Sequence, residues 1–118
     1  DPTHANAQLG MGNAYYNNSR NAESIPYYKR ATELSPNWAT AHSYLADAYY
    51  RTKQYSLAIA SFDAAIKLDK KRADTWYGIG LSYVATKNKT MAQIALSELR
   101  LLDADKAATL QKQVDQLK

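Results

Sequence analysis

Apolar residues along this chain fall at helical spacing, in runs separated by short polar turns. Leu9, Met11, Gly12 and Tyr15 lie near one face of a helix predicted over Ala5 to Tyr16. Ile25, Tyr28, Ala31 and Leu34 form the stripe of a second, from Ala22 to Leu34, with Pro26 too early in it to break it centrally. The polar run Asn17 to Asn21 between them has the composition of a turn joining antiparallel helices. The plan then repeats. Leu45, Ala48 and Tyr49 line a third helix, Thr52-Lys53-Gln54 turns the chain, and Ala58, Phe62, Ala65 and Leu68 line a fourth. Trp76, Ile79, Gly80 and Tyr83 fill a fifth, Lys87-Asn88-Lys89 turns again, and Ala92, Leu96, Leu99 and Leu102 fill a sixth. The segment from Asp105 sets Ala107, Leu110, Val114 and Leu117 against a polar face of Gln111, Lys112, Gln113, Asp115 and Gln116. That two-faced half unit is what the end of a stacked array needs to close its core.

The repetition is in strict register. Asn13-Ala14-Tyr15-Tyr16 returns thirty-four residues later as Asp47-Ala48-Tyr49-Tyr50, and again as Leu81-Ser82-Tyr83-Val84. The Tyr15, Tyr49, Tyr83 column is invariant, as is Ala5, Ala39, Ala73, Ala107. A fixed period of roughly 20 to 50 residues marks a stacked repeat architecture. The units divide at 5–38, 39–72 and 73–106, with a capping helix over 107–118 and with 1–4 reading as the tail of an upstream unit. Counting by the period from Asp1 reaches Ser35, Asp69 and Asp103, each a candidate to cap a helix N-terminus.

With these residues in place the chain resembles the tetratricopeptide repeat (TPR) family, whose signature is W-x2-L-G-x2-Y, then A-x3-F, then P, on this period. Trp76-x2-Ile79-Gly80-x2-Tyr83 with Ala92-x3-Leu96 is the best matching unit. Met11-Gly12-x2-Tyr15, Ser24-x3-Tyr28 and Pro36 match in the first, where Gln8 replaces Trp. Leu45-Ala46-x2-Tyr49 and Ala58-x3-Phe62 match in the second, where His42 replaces Trp and Lys70 replaces Pro. The resemblance spans the chain and implies an all-α, right-handed helical solenoid of three helix-turn-helix units with a capping helix. It is specific for fold and weakly specific for function.

Composition narrows the chemistry. The 118 residues have room for one domain, hold no cysteine, and carry a modest net charge of +4. Disulfides and thiolate metal sites are therefore excluded, while the compartment stays open. No apolar run approaches the ~20 residues that span a bilayer. Catalytic motifs are absent: no G-x-S-x-G, no H-E-x-x-H, no glycine-rich phosphate loop. Of the two histidines, His42 falls in the Trp76 column and reads as a packing residue. Lys67, Lys70, Lys71 and Arg72 cluster at a unit junction, but Asp69 and Asp74 interrupt them and a solvated loop is favoured over a nucleic-acid site. No catalytic, metal or cofactor site is expected, nor a membrane-inserting or specific nucleic-acid-binding one.

The resemblance implies that the first helix of each unit lines a concave groove. The candidate binding residues are Leu9, Asn13, Tyr16 and Asn17 from the first unit and Ser43, Asp47, Tyr50 and Arg51 from the second. The third supplies Asp74, Tyr77, Leu81 and Val84. Tyrosine gives amphipathic contact area at low entropic cost, while Asn, Asp and Arg guide a peptide backbone. Tyr16 and Tyr50 are expected to be exposed. Leu81 and Val84 carry two readings, an apolar groove patch or packing against the capping helix. TPRs that clamp chaperone C-termini use Lys, Asn, Asn, Lys and Arg at positions held here by Leu9, Asn13, Tyr44, Asp74 and Gly78, so only Asn13 fits. The expected function is a non-catalytic scaffold binding a peptide segment of another protein. The alternatives are a structural unit that self-associates through the N-terminal face of its first repeat and an accessory domain of a larger protein.

Overall fold

A computed structural model of the chain describes residues 2–117 and folds them into seven helices. These are α1 (Pro2–Asn17), α2 (Asn21–Leu34), α3 (Ala39–Arg51), α4 (Tyr55–Leu68), α5 (Ala73–Ala85), α6 (Lys89–Leu102) and α7 (Ala104–Asp115). Helices pair as α1 with α2, α3 with α4 and α5 with α6, and successive pairs stack through α2 on α3 and α4 on α5. The body is an elongated solenoid of 43 × 25 × 21 Å, closed by α7 against α5 and α6. Residues 2–4, expected as the tail of an upstream unit, continue the helix that Ala5 was expected to open.

The turn inside each pair is set by backbone geometry that repeats with the sequence. Ser19, Lys53 and Lys87 hold left-handed φ angles of 61°, 65° and 59°. The amide of the next residue, Arg20, Gln54 or Asn88, reaches back to the carbonyl of Tyr15, Tyr49 or Tyr83 at 2.9, 2.8 and 2.9 Å. The left-handed residue's own amide bonds Tyr16, Tyr50 or Val84 at 3.0 Å. This double bond is a Schellman ending, which satisfies carbonyls that the last helical turn leaves open. The invariant tyrosine column thus also marks where each first helix must stop.

Helix starts depart from the sequence expectation. Ser35 and Asp69 end α2 and α4, and the residues preceding α3 and α5 are Trp38 and Arg72, with no side-chain cap. Three residues intervene between Ser35 or Asp69 and the following helix, so neither side chain can reach its first amides. The Asp69 carboxylate instead accepts the Lys71 amide at 3.0 Å. Asp103 does cap, accepting from the Lys106 amide at 3.1 Å, because α7 begins at the very next residue. The expectation for Asp1 lies outside the described residues.

What stacks the pairs is an aromatic wedge. Tyr28 of α2 is fully buried between α1 and α3: a Cβ added at Gly12 would lie 2.6 Å from its ring, and its other side stacks on Tyr44 at 5.5 Å. Its hydroxyl donates to Asn13 Oδ1 at 2.6 Å, leaving no orphaned polar atom. Phe62, one period on, is buried with its ring tip filling the space over Gly78 of α5. Small residues at Gly12, Ala46 and Gly80 let the wedge and its neighbours approach, and Leu110 of α7 seats against Gly80. Burying a ring of this size stabilises by an amount reflected in the roughly 3 to 5 kcal/mol lost on Phe→Ala. Beside the wedge, the Trp76 indole N–H donates to the Lys70 carbonyl at 2.8 Å and His42 Nε2 donates to the Pro36 carbonyl at 2.8 Å. His42 therefore does the tryptophan's work of pinning the loop six residues back.

The left-handed turns give a direct stability test. A non-glycine residue at positive φ costs about 1 kcal/mol that glycine avoids. Lys53→Gly is expected to raise the unfolding free energy by about 0.5 to 1 kcal/mol and Lys53→Val to lower it, measured by urea unfolding. A fall in stability for the glycine variant would contradict the left-handed ending.

Candidate functional site

The inner surface is built from the first helices of the pairs. Between α3 and α5 it sinks into a depression of about 310 Å³. Its walls are Tyr44, Tyr50, Tyr77 and Leu81, and its charged groups are Asp47, Arg51, Arg72 and Asp74. Ser43, Gly78 and the Phe62 ring complete the lining. The depression exists because Gly78 occupies the column that Tyr44 fills one period earlier. With no side chain there, the tip of the wedge Phe62 reaches the groove from behind.

Its charges are paired internally. Asp47 accepts a short hydrogen bond from the Tyr16 hydroxyl and a second from Arg51 Nε at 3.2 Å. The Arg51 guanidinium lies 5.1 Å over the Tyr16 ring. Arg72 donates to Thr40 Oγ1 at 2.8 Å and to Asp74 Oδ2 at 3.3 Å. Two carboxylates and two guanidiniums leave the depression without net charge. Burial, then the bond to Asp47 and its charge, push the Tyr16 phenol up to about 12. Burial raises the Tyr50 phenol as well, helped by Tyr55 and Tyr77.

Seven of the twelve candidate groove residues line this depression: Ser43, Asp47, Tyr50, Arg51, Asp74, Tyr77 and Leu81. Of these Ser43 is buried, its hydroxyl 2.9 Å from that of Thr75, so it ties α3 to α5. The other five do not line it. Leu9 packs against the core cluster around the wedge, and Asn13 Oδ1 accepts the Tyr28 hydroxyl's hydrogen bond. Asn17 is exposed at the end of α1. Tyr16, expected to be exposed, is half-buried and held by Asp47. Tyr50 is half-buried too, edge-on to Tyr55 at 5.6 Å, though one side faces the depression.

For the third-unit row, Tyr77, Leu81 and Val84 pack against the cluster that α7 completes, and Lys106 of α7 lies 5.6 Å over the Tyr77 ring. Val84 is thus engaged in packing against this α6–α7 cluster. Tyr77 and Leu81 serve both the core and the groove. Tyr44, Phe62, Arg72 and Gly78 line the depression without being candidates. Their signal in the sequence is a glycine standing where the previous unit has tyrosine. Among the described residues no three metal-ligating side chains converge, and no helix is long and apolar enough to cross a membrane.

Comparison with known proteins places this geometry. A family model described as tetratricopeptide repeat matches residues 9–73 and 45–105. The first TPR of Spaghetti (RPAP3), bound to HSP90 peptide SRMEEVD, superposes with a TM-score of 0.93 at 19% identity, over 98% of this chain and 94% of that one. The TPR2B domain of yeast Sti1 in its pHsp70 complex superposes with a TM-score of 0.93 at 20% identity, over 98% and 99%. The first TPR domain of human RPAP3 gives 0.91 at 19% identity, over 99% and 94%. At such identities the likeness is one of fold. No curated protein sequence matches, and neither the family match nor these structures indicates an enzyme family.

Burial of the Tyr16 phenol, together with its bond to Asp47, predicts an alkaline signature. The folded phenol titrates near 12 and the unfolded one near 10, so its stabilising share is intact below pH 10 and is lost as pH rises through 12. Tyr16→Phe is expected to be less stable than the native chain at pH 9, with the gap closing by pH 12 in urea midpoints. A gap that stays constant over that range would contradict the assignment.

Proposed function

The chain belongs to the tetratricopeptide repeat family, and from that premise we propose that it is a non-catalytic interaction module holding a peptide segment of a partner protein in its concave groove. The repeats are taken as 5–38, 39–72 and 73–106, with 107–118 closing the stack. The observation that carries this reading is the aromatic-walled depression between α3 and α5, concave and electrically balanced. Such a site, mostly apolar with a few convergent polar groups, suits an amphipathic ligand segment. Tyr50 and Tyr77 are its anchors, and Asp47, Arg51 and Asp74 its polar guides. Tyr16 and Asn13 contribute from behind, by holding Asp47 and the wedge Tyr28 in place.

The peptides named for RPAP3 and Sti1 support the ligand class, and the local chemistry argues against the same acidic tails. Of the five positions that clamp a terminal carboxylate in the family, Leu9 is packed and Tyr44 is stacked on Tyr28. Asp74 is itself a carboxylate, and Gly78 has no room for a side chain because Phe62 stands over it. A terminal carboxylate would meet repulsion from Asp74 and no lysine. The preferred ligand is therefore an internal, non-acidic segment.

Selection of a displayed peptide library against the 118-residue chain tests this. Selected peptides are expected to lose at least ~30-fold in affinity to Tyr50→Ala or Tyr77→Ala, about 2 kcal/mol, with circular dichroism unchanged. The peptide SRMEEVD is expected to bind no tighter than millimolar. Unchanged affinity in both tyrosine variants, or micromolar binding of SRMEEVD, would overturn the reading.

A further inference from the structure

The wedge ring is received differently at its two occurrences. At the first, Tyr28 of α2 is fully buried and stacked by Tyr44 of α3, with centroids 5.5 Å apart and planes 16° from parallel. At the second, Phe62 of α4 meets Gly78 of α5, thirty-four residues after Tyr44, and its ring tip occupies the space a Cβ would need there. The first junction thus holds two rings at this column and the second holds one. Phe62 and Gly78 both line the depression, so the place a ring takes in the preceding unit opens here onto the groove. Tyr44 and Tyr50 face that opening from α3, and Tyr77 and Leu81 from α5. A side chain entering it meets rings on both sides, and rings pack on rings in offset or edge contacts beyond what buried area alone provides.

We propose that the depression seats one uncharged aromatic side chain of the bound peptide, phenylalanine by preference, whose ring takes at Gly78 the place that Tyr44 holds in the preceding unit. This rests on the groove reading above and narrows it to a ligand chosen by a single ring. The charges of the lining argue for an uncharged occupant. Asp47 is held by Tyr16 and Arg51, and Asp74 by Arg72, so a charged side chain gains a partner only by competing with an existing pair. Polar demand is likewise met from within. The Ser43 hydroxyl is engaged with Thr75, and among the described residues no buried side-chain polar atom lacks a partner. A ligand tyrosine would bring a hydroxyl to groups already paired, which favours phenylalanine. The seat is peculiar to the third unit, because the Tyr44 ring closes the corresponding place between α1 and α3.

The probes are peptides selected from a displayed library on the 118-residue chain, and selection is expected to enrich phenylalanine at one position. Replacing that phenylalanine by leucine is expected to weaken binding at least ~10-fold, read by isothermal titration calorimetry. Lysine or glutamate in its place is expected to weaken it at least ~30-fold. The chain is the same in all these titrations, so loss of fold does not enter. In the isotopically labelled complex the peptide ring is expected to show nuclear Overhauser contacts to the Gly78 α protons and the Leu81 methyls. Tyr50→Ala and Tyr77→Ala separate this proposal from the groove reading. Weaker binding in both variants with leucine as good as phenylalanine would leave a peptide groove and overturn the ring seat. Ring contacts away from Gly78 would overturn it too, as would lysine matching phenylalanine, which would make the depression a cage for a cation. Unchanged affinity in both tyrosine variants would overturn the groove reading and the seat with it.

Discussion

The structure depends on one contact made repeatedly: a ring from the second helix of a pair, wedged between its own first helix and the first helix of the next pair. Tyr28 and Phe62 are that ring in successive pairs. Tyr28 lies over Gly12 and Phe62 over Gly78, positions with no side chain to obstruct the ring, while Gly80 receives Leu110 of α7. The contact is non-local but short in sequence, reaching from one unit to the next and no further. Stability is then close to a sum of unit and interface terms, as for repeat proteins generally.

The groove follows from how the wedge is received. Where the receiving residue is Tyr44, the ring is covered by another ring and the surface is filled. Where it is Gly78, no second ring covers Phe62, whose buried tip forms part of the lining of a depression on the concave side. The polar groups around the depression are held in internal pairs, Arg51 with Asp47 and Arg72 with Asp74.

The period made most of this architecture legible in advance. The helix pairs, their polar turns and the two-faced closing helix follow from the spacing of Tyr15, Tyr49 and Tyr83 and of the apolar stripes. Helix beginnings were less readable. Ser35 and Asp69 have capping side chains, but whether they cap depends on how many residues separate them from the next helix. Groove membership was readable by column and not by contact. Asn13, Ser43 and Tyr16 sit in columns that face inward, yet each is engaged by a partner some 15 to 32 residues away, which spacing alone does not reveal. Gly78 shows the converse: its importance lies in the side chain it lacks and in a ring that arrives from another helix.

A double-mutant cycle between Phe62 and Gly78, read by urea unfolding, tests the wedge most directly. Adding a methyl under a buried ring costs about 1 to 3 kcal/mol, against a gain of about 1 kcal/mol in helix propensity. Gly78→Ala is therefore expected to be neutral or destabilising in the native chain and to become stabilising once Phe62→Leu has withdrawn the ring tip. A coupling of at least about 1 kcal/mol is expected. Additivity of the two changes within about 0.3 kcal/mol would mean that the ring and the glycine do not meet and that no wedge joins these pairs.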